Sequence, residues 1–175
     1  VTLINAFTML FGMGGAPLCA ISLGEKHQDK AEKIMANSFI CLIVSSIIIT
    51  LAVLLFKEPI LYLFGADSLT IEPAKNYISI YVLGTIFIQL TIGMNAYINT
   101  QGYTQIGMRT TLLGAVLNII LDPVFIYGFD MGITGAAIAT VMSQCASCIW
   151  VLKFLTSEKS TVKLRKAYFK PDFKI

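Results

Sequence analysis

Five long apolar runs limit what this chain can fold into, because each has close to the length that crosses a bilayer. A membrane-spanning helix needs about 20 apolar residues, since each residue advances it about 1.5 Å through hydrocarbon about 30 Å thick. The runs comprise residues 1–23, 36–56, 74–99, 108–129 and 131–155. Only 13% of all residues are charged, against about 25% in soluble domains. We therefore predict an all-α membrane protein with five transmembrane helices.

Basic residues are distributed unequally between the connections on the two sides of these spans. Residues 24–33, residues 100–109 and the tail from residue 153 together hold 11 of the 13 lysines and arginines, and the other side holds only Lys57 and Lys75. Loops rich in Lys and Arg stay in the cytoplasm. The pattern predicts a multi-pass protein of the cell's inner (plasma) membrane that starts outside and ends inside. Its first partner is the lipid bilayer, and no nucleic-acid partner is expected.

The first span begins with Val1, without a methionine or a basic segment before it. Secretory signal peptides carry such a basic segment and a shorter apolar core. We therefore expect a further helix to precede this one, and the tail to continue into further chain.

The fourth and fifth spans carry the polar residues with the clearest chemical meaning. Asp122 is the only acidic residue within a span, and Asn118 precedes it by four residues on the same helix face. A carboxylate at membrane depth costs at least about 2.5 kcal/mol, so it is protonated, paired or bound to a cation. Across a tight hairpin, Thr140 would add a hydroxyl oxygen. The three residues favour a cation or proton site, although Asp122 could instead cap the helix near the outer interface.

The third span carries polar residues on one face. Tyr77, Tyr81, Gly84, Asn95 and Asn99 fall on one side of a helix with 100° between residues. This face predicts either a hydrated cavity, with Tyr77, Asn95 and Asn99 facing the substrate, or hydrogen bonds between helices. Tyr77 could also be an aromatic anchor at the membrane interface. No nucleophile and base occur in a catalytic arrangement, so an enzyme is not expected.

Several separated motifs resemble those of one transporter family. They are GMGGAP at residues 12–17, LGEK at 23–26, QGYTQ at 101–105, LNIILDPVFI at 117–126 and GITGAAIAT at 132–140. This pattern resembles the MATE (multidrug and toxic compound extrusion) transporters over essentially the whole chain. The resemblance implies twelve helices in two six-helix lobes, of which this chain supplies the second to sixth helices of the N-terminal lobe. Residues 156–175 would begin the cytoplasmic linker between the lobes, and the first helix and the C-terminal lobe would be partners.

The same resemblance implies a function and a site. Members of the family expel organic cations and other small amphipathic compounds by alternating access, driven by inward flow of Na⁺ or H⁺. The coupling site in the N-terminal lobe would comprise Asn118, Asp122, the carbonyl of Ala136 and Thr140, together with an aspartate on the first helix. Asn118, Asp122 and Thr140 would be the side-chain ligands of Na⁺. No cofactor is implied beyond the coupling ion.

Two alternatives to drug efflux remain open. A lipid-linked oligosaccharide flippase of the same superfamily would be expected to line its cavity with Arg or Lys for pyrophosphate, and these spans carry no basic residue at depth. A structural or channel subunit without coupling would not need an aspartate buried four residues after an asparagine.

The distribution of basic residues predicts which connections share a side of the membrane. In a cysteine-free background, single cysteines at Lys30 and Asp67 should react with an impermeant thiol reagent from opposite faces. Labelling of intact cells and of inverted vesicles measures this. Reaction of both positions from the same face would show that the topology is wrong.

Overall fold

A computed structural model describes residues 2–165 and Tyr168, and every regular element in this part of the chain is helical. The helices are α1 (Thr2–Thr8), α2 (Gly14–Gly24), α3 (Gln28–Leu63), α4 (Ile71–Leu83), α5 (Thr85–Thr100), α6 (Thr104–Pro123) and α7 (Gly132–Leu155). Two π-helical turns join them, Met9–Met13 between α1 and α2, and Val124–Gly128 after α6. The predicted all-α class is confirmed. Val1 and much of the predicted linker, with Lys166, Lys170 and Lys174, lie outside the described residues.

Four helical stretches of the described chain are long and apolar enough to cross a membrane. They are Ile4–Gly24, Gln28–Leu63, Thr104–Gly128 and Gly132–Leu155. The third predicted span is different, because α4 and α5 meet at Gly84 with a bend of 45° and form a fifth span only when taken together. A side chain at Gly84 would place its Cβ 2.6 Å from Cγ2 of Val141, so the glycine lets α7 pack against the break. The predicted third span over residues 74–99 is therefore helical on both sides of a bend at Gly84.

Helix α3 extends well beyond the predicted span of residues 36–56. Its 36 residues would measure about 54 Å, much longer than the hydrocarbon layer of about 30 Å. The helix is interrupted at Phe56, with φ of −109° and ψ of 15°, and Pro59 follows. Proline removes one backbone donor and disturbs the preceding turn. The other end of α3 begins at Gln28, inside a segment that was predicted to be a solvated loop.

Helix α4 begins where the turn before it supplies hydrogen-bond acceptors. Oδ1 of Asp67 accepts hydrogen bonds from the backbone of Leu69 at 3.0 Å and of Thr70 at 2.9 Å. These bonds and that from the Thr70 hydroxyl lower the pKa of Asp67, because they stabilise the carboxylate. The turn thereby directs the chain back into the bundle.

The connections predicted to be cytoplasmic lie at one end of the bundle. Nε2 of Gln28 donates to the carbonyl of Thr161, and Oε1 of Gln101 accepts a hydrogen bond from the backbone of Val162. The α2–α3 connection, the α5–α6 turn and the segment after α7 are therefore neighbours. This arrangement agrees with the alternation of basic residues along the sequence.

Small residues set the distance between α5 and the first span. A Cβ added to Gly12 would lie 2.5 Å from Cα of Gly93, so the two backbones touch at this crossing. One turn further, Oη of Tyr97 donates a 2.6 Å hydrogen bond to Oγ of Ser38 on α3. Tyr97 is fully buried, and the hydrogen bond satisfies its hydroxyl. Glycines let helices approach closely where lipid provides no hydrophobic force between them.

The Gly12 crossing generates a test of the packing. Gly12→Ala should destabilise the full-length protein by about 1–3 kcal/mol, because the added methyl meets backbone that has to move. Gly14→Ala is the matched control two residues away, since nothing lies within 4 Å of its added Cβ. Thermal unfolding in detergent measures both. Equal melting temperatures for the two variants would contradict the close crossing.

Candidate coupling site between α6 and α7

The hairpin of α6 and α7 is held together closely at two levels. A Cβ on Gly135 would lie 2.7 Å from the carbonyl oxygen of Phe125, in the π-helical turn, and one on Gly114 would lie 2.7 Å from Oγ of Ser147. The turn between the helices is short, with Asp130 in the left-handed region at φ of 53°. Aspartate tolerates that conformation better than most residues. The tight hairpin expected from the sequence is therefore present, and it brings the polar faces of both helices together.

All four residues expected in the coupling site lie together between these two contacts. Nδ2 of Asn118 donates to Oδ1 of Asp122 at 3.1 Å and lies 3.5 Å from Oγ1 of Thr140. Oγ1 of Thr140 donates to the carbonyl of Ala136 at 2.9 Å. The four side chains are partly buried. One carboxylate, one amide, one hydroxyl and one carbonyl thus share a single location.

Within residues 2–165 and Tyr168, no lysine, arginine or histidine forms an ion pair with the carboxyl group of Asp122. Only the amide of Asn118 donates to it in this part of the chain. A partly buried carboxylate with a neutral partner suits either a proton or a small cation as the compensating charge.

The donor set matches the requirements of a hard cation. Such ions take oxygen ligands, from carboxylates, amides, hydroxyls and backbone carbonyls. This chain supplies one oxygen of each kind. The hydroxyl of Thr140 donates to Ala136 and accepts from Asn118, which leaves one lone pair of Thr140 available. The described residues hold no group of three or more His, Cys, Asp or Glu side chains suited to a transition metal.

A separate cavity of about 620 Å³ lies among α2, α5, α6 and α7. Asn95 and Asn99 line it, as the sequence predicts, together with Thr91, Thr110, Thr111, Gln144 and Ser147. Nδ2 of Asn95 also donates to the carbonyl of Gly107 at 3.2 Å. The face of the third span therefore both lines a cavity and bonds to a neighbouring helix, which were the two alternatives.

Tyr77 does not line this cavity. Its ring stacks on that of Tyr81, with 5.8 Å between the centroids. The helix is bent by 45° at Gly84, and a 100° periodicity holds only along an unbroken helix. The shared face of Tyr77 with Asn95 and Asn99 therefore does not extend across the bend, and a contact of Tyr77 with substrate stays a prediction.

Gln144 is a cavity residue that the sequence analysis missed. It follows Thr140 by four residues on α7, so the two lie on the same helix face. Its backbone carbonyl accepts a 3.4 Å hydrogen bond from Thr91. A polar amide one turn from a candidate ligand was a signal present in the sequence.

Fold and site together define a polytopic helical membrane protein with a buried acidic site and a polar cavity. A family model described as MatE matches residues 1–124. The chain belongs to the MatE family, whose members are transporters and not enzymes.

Curated relatives and solved structures agree with this assignment. The multidrug export protein MepA of Staphylococcus aureus strain MSSA476 is 29% identical over 163 residues, which cover 93% of this chain and 36% of the relative. MepA of Staphylococcus saprophyticus is 27% identical over 162 residues. A structure described as the inward-facing conformation of a multidrug resistance MATE family transporter of the MOP superfamily has a TM-score of 0.92 at 26% identity. It is matched over 98% of this chain and 39% of its own. The chain thus spans little more than a third of the proteins it resembles.

The α6–α7 hairpin generates a test of the site's geometry. Gly135→Ala should separate the helices near Phe125 and lower stability by about 1–3 kcal/mol, because the new Cβ meets backbone atoms. Gly128→Ala, in the same π-helical turn as Phe125, is the control, since its added Cβ has only an ordinary contact at 4.0 Å. Chemical unfolding of the full-length protein gives both values. An unchanged free energy of unfolding in Gly135→Ala would show that α7 does not approach Phe125 this closely.

Proposed function

We propose that this chain forms the N-terminal lobe of a secondary transporter that expels organic cations and other small amphipathic compounds in exchange for Na⁺ or H⁺. The observation that carries the proposal is Asp122, a partly buried carboxylate without a cationic partner among the described residues, beside Asn118, Thr140 and the Ala136 carbonyl. Such a carboxylate changes its charge state or binds a cation as part of the transport cycle. The similarity to multidrug export proteins supports the class of substrate.

Asp122 is the proposed coupling residue. In an H⁺-coupled cycle, the carboxylate takes up and releases the proton. In a Na⁺-coupled cycle, it supplies the negative charge, and the oxygens of Asn118, Thr140 and Ala136 complete part of the coordination. Asn118 would then turn its amide so that Oδ1 replaces Nδ2. An aspartate from a helix upstream of this chain is the further ligand that we expect.

The character of the cavity supports a drug as substrate rather than a lipid pyrophosphate. Among the described residues that line it, none is charged, and amides and hydroxyls are mixed with apolar groups such as Met13 and Ile92. Pyrophosphate recognition relies on Arg or Lys. Asn95 and Asn99 are the proposed substrate contacts, joined by Gln144.

Comparison of conformations supports alternating access by movement of whole lobes. The chain matches the inward-facing structure with a TM-score of 0.92 and an outward-facing one with 0.90. A lobe that fits both states equally well moves nearly as a rigid body. The proposed protein is therefore completed by an upstream helix and a second lobe, with residues 156–175 as the start of the linker, and it resides in the cell's inner (plasma) membrane.

The decisive test is Asp122→Asn in the full-length protein, reconstituted into proteoliposomes. Coupled drug efflux should fall by about tenfold or more, the scale expected from a coupling free energy of about 1–3 kcal/mol. Membrane insertion should be unimpaired, because an amide costs less at depth than a carboxylate. Asn118→Ala and Thr140→Ala should weaken the ion dependence less, since each removes one neutral oxygen.

Efflux is measured separately under a Na⁺ gradient and under a pH gradient, at matched protein density. Asp130→Asn is the control, because it makes the same chemical change in the exposed turn outside the site. Wild-type transport by Asp122→Asn under both gradients would show that Asp122 is structural. If drug flux through the wild type does not depend on either gradient, the protein is an uncoupled channel.

A further inference from the structure

The segment after α7 folds back onto the end of the bundle. Residues 157–165, called the latch below, carry two apolar side chains inward: Val162 is fully buried, and Leu164 is 8% exposed. Both belong to the same hydrophobic cluster as Ile34 and Tyr97. The backbone N–H of Leu164 also donates to the carbonyl of Leu155 at 3.0 Å. The latch is thus packed as part of the core.

Gln101, in the turn between α5 and α6, is oriented toward the latch. Its Nε2 donates to the carbonyl of Tyr97 at 3.1 Å, which fixes the amide plane and directs Oε1 outward from its own helix. Oε1 lies 2.9 Å from the backbone nitrogen of Val162 and 2.9 Å from Oγ of Ser160. One side chain therefore joins the α5–α6 turn to two residues of the latch.

Glu32 on α3 has its carboxylate paired with the latch by one hydrogen bond and one ion pair. The residue is 1% exposed, although the sequence places it in a run of charged residues. Oε1 accepts from the backbone nitrogen of Lys163 at 3.3 Å, and Oε2 forms an ion pair with Nε of Arg165 at 3.0 Å. A buried carboxylate is costly unless it is paired. Both partners come from the latch, so its release would remove the two contacts that compensate this carboxylate.

We propose that Glu32 and Gln101 are positioning residues that hold the latch across the bundle end and thereby fix the α5–α6 turn. Gln101 follows Asn99 by two residues, and α6 begins at Thr104. The helices on either side of the turn carry the cavity residues Asn95, Asn99 and Thr110. The latch therefore holds two walls of the cavity together at the end predicted to face the cytoplasm. This role is independent of which ion drives transport.

Hydrogen–deuterium exchange of the full-length protein in lipid nanodiscs tests the proposal. In the wild type, the amides of Val162 and Lys163 should exchange slowly, because each is hydrogen-bonded to a side chain of the bundle. Glu32→Gln and Gln101→Ala should each speed this exchange on the order of tenfold, the expected effect of removing a hydrogen bond to a buried or charged group. Peptides covering residues 101–107 should become faster in parallel.

Matched controls separate the latch from general effects of mutation. Glu25→Gln and Gln105→Ala make comparable changes at exposed positions near the same bundle end and should leave exchange unchanged. Arg165→Gln should behave like Glu32→Gln, whereas Arg165→Lys, which keeps the charge, should stay close to the wild type. The Arg165 side chain is 54% exposed, so its substitution should disturb the packing of the bundle little. If Glu32→Gln loosens every helix, the two Arg165 variants therefore test the role of the ion pair.

Two outcomes would overturn the proposal. The first is rapid exchange of residues 157–165 in the wild type, at the rate of an unprotected peptide. The second is unchanged exchange in Gln101→Ala and Arg165→Gln. Faster exchange confined to the latch and the α5–α6 turn in those two variants, with rescue in Arg165→Lys, would establish the positioning role.

Discussion

The hydrocarbon core of a bilayer offers no hydrogen bond to a peptide, and the structure depends on this constraint throughout. Each backbone polar group in a span has to be satisfied within the protein, and a helix does so locally. Several hydroxyl side chains follow the same rule: Thr8 donates to the carbonyl of Ile4 and Ser143 to that of Ala139. A carboxylate cannot donate in this way when ionised, so Asp122 depends on an external donor or cation. Its position next to Asn118 and Thr140 follows from that need.

The sequence predicted what depends on local composition and helical spacing. The five apolar regions follow from composition, and the pairing of Asn118 with Asp122 follows from helical spacing, because residues four apart on a helix share a face. The carbonyl of Ala136 was added to the set only by the resemblance to the MATE family. The bend at Gly84 could not be predicted from the sequence, because hydropathy measures burial in lipid and carries no information about the direction of the helix axis. Tyr77 was grouped with Asn95 and Asn99 by continuing the helical periodicity across that bend, and the cavity that both asparagines line does not include Tyr77.

Contacts between distant parts of the chain were not predicted, for a different physical reason. Glu32 lies between Lys30 and Lys33 in a charged connection, yet its side chain is buried beneath the latch. Partners separated by 131 residues in the chain determine that burial. No local pattern predicts such a contact. The same reasoning applies to Gln101, whose acceptor oxygen is used by residues that follow α7.

The candidate coupling site and the cavity are built on the same two helices, which bears on how they could communicate. On α7, the site residue Thr140 lies one turn from the cavity residue Gln144. On α6, the site residue Asn118 lies one turn from the cavity residue Gly114. The close contacts of Gly114 with Ser147 and of Gly135 with Phe125 leave these helices little freedom to slide independently. In the proposed transporter, a cation at Asp122 would therefore act on the substrate by shifting the lobe that contains this hairpin relative to the rest of the protein. Coupling requires that the ion bind one arrangement more tightly than the other. Because the lobe resembles both inward- and outward-facing structures, with TM-scores of 0.92 and 0.90, the proposal places the difference in binding mainly at the borders of the lobe.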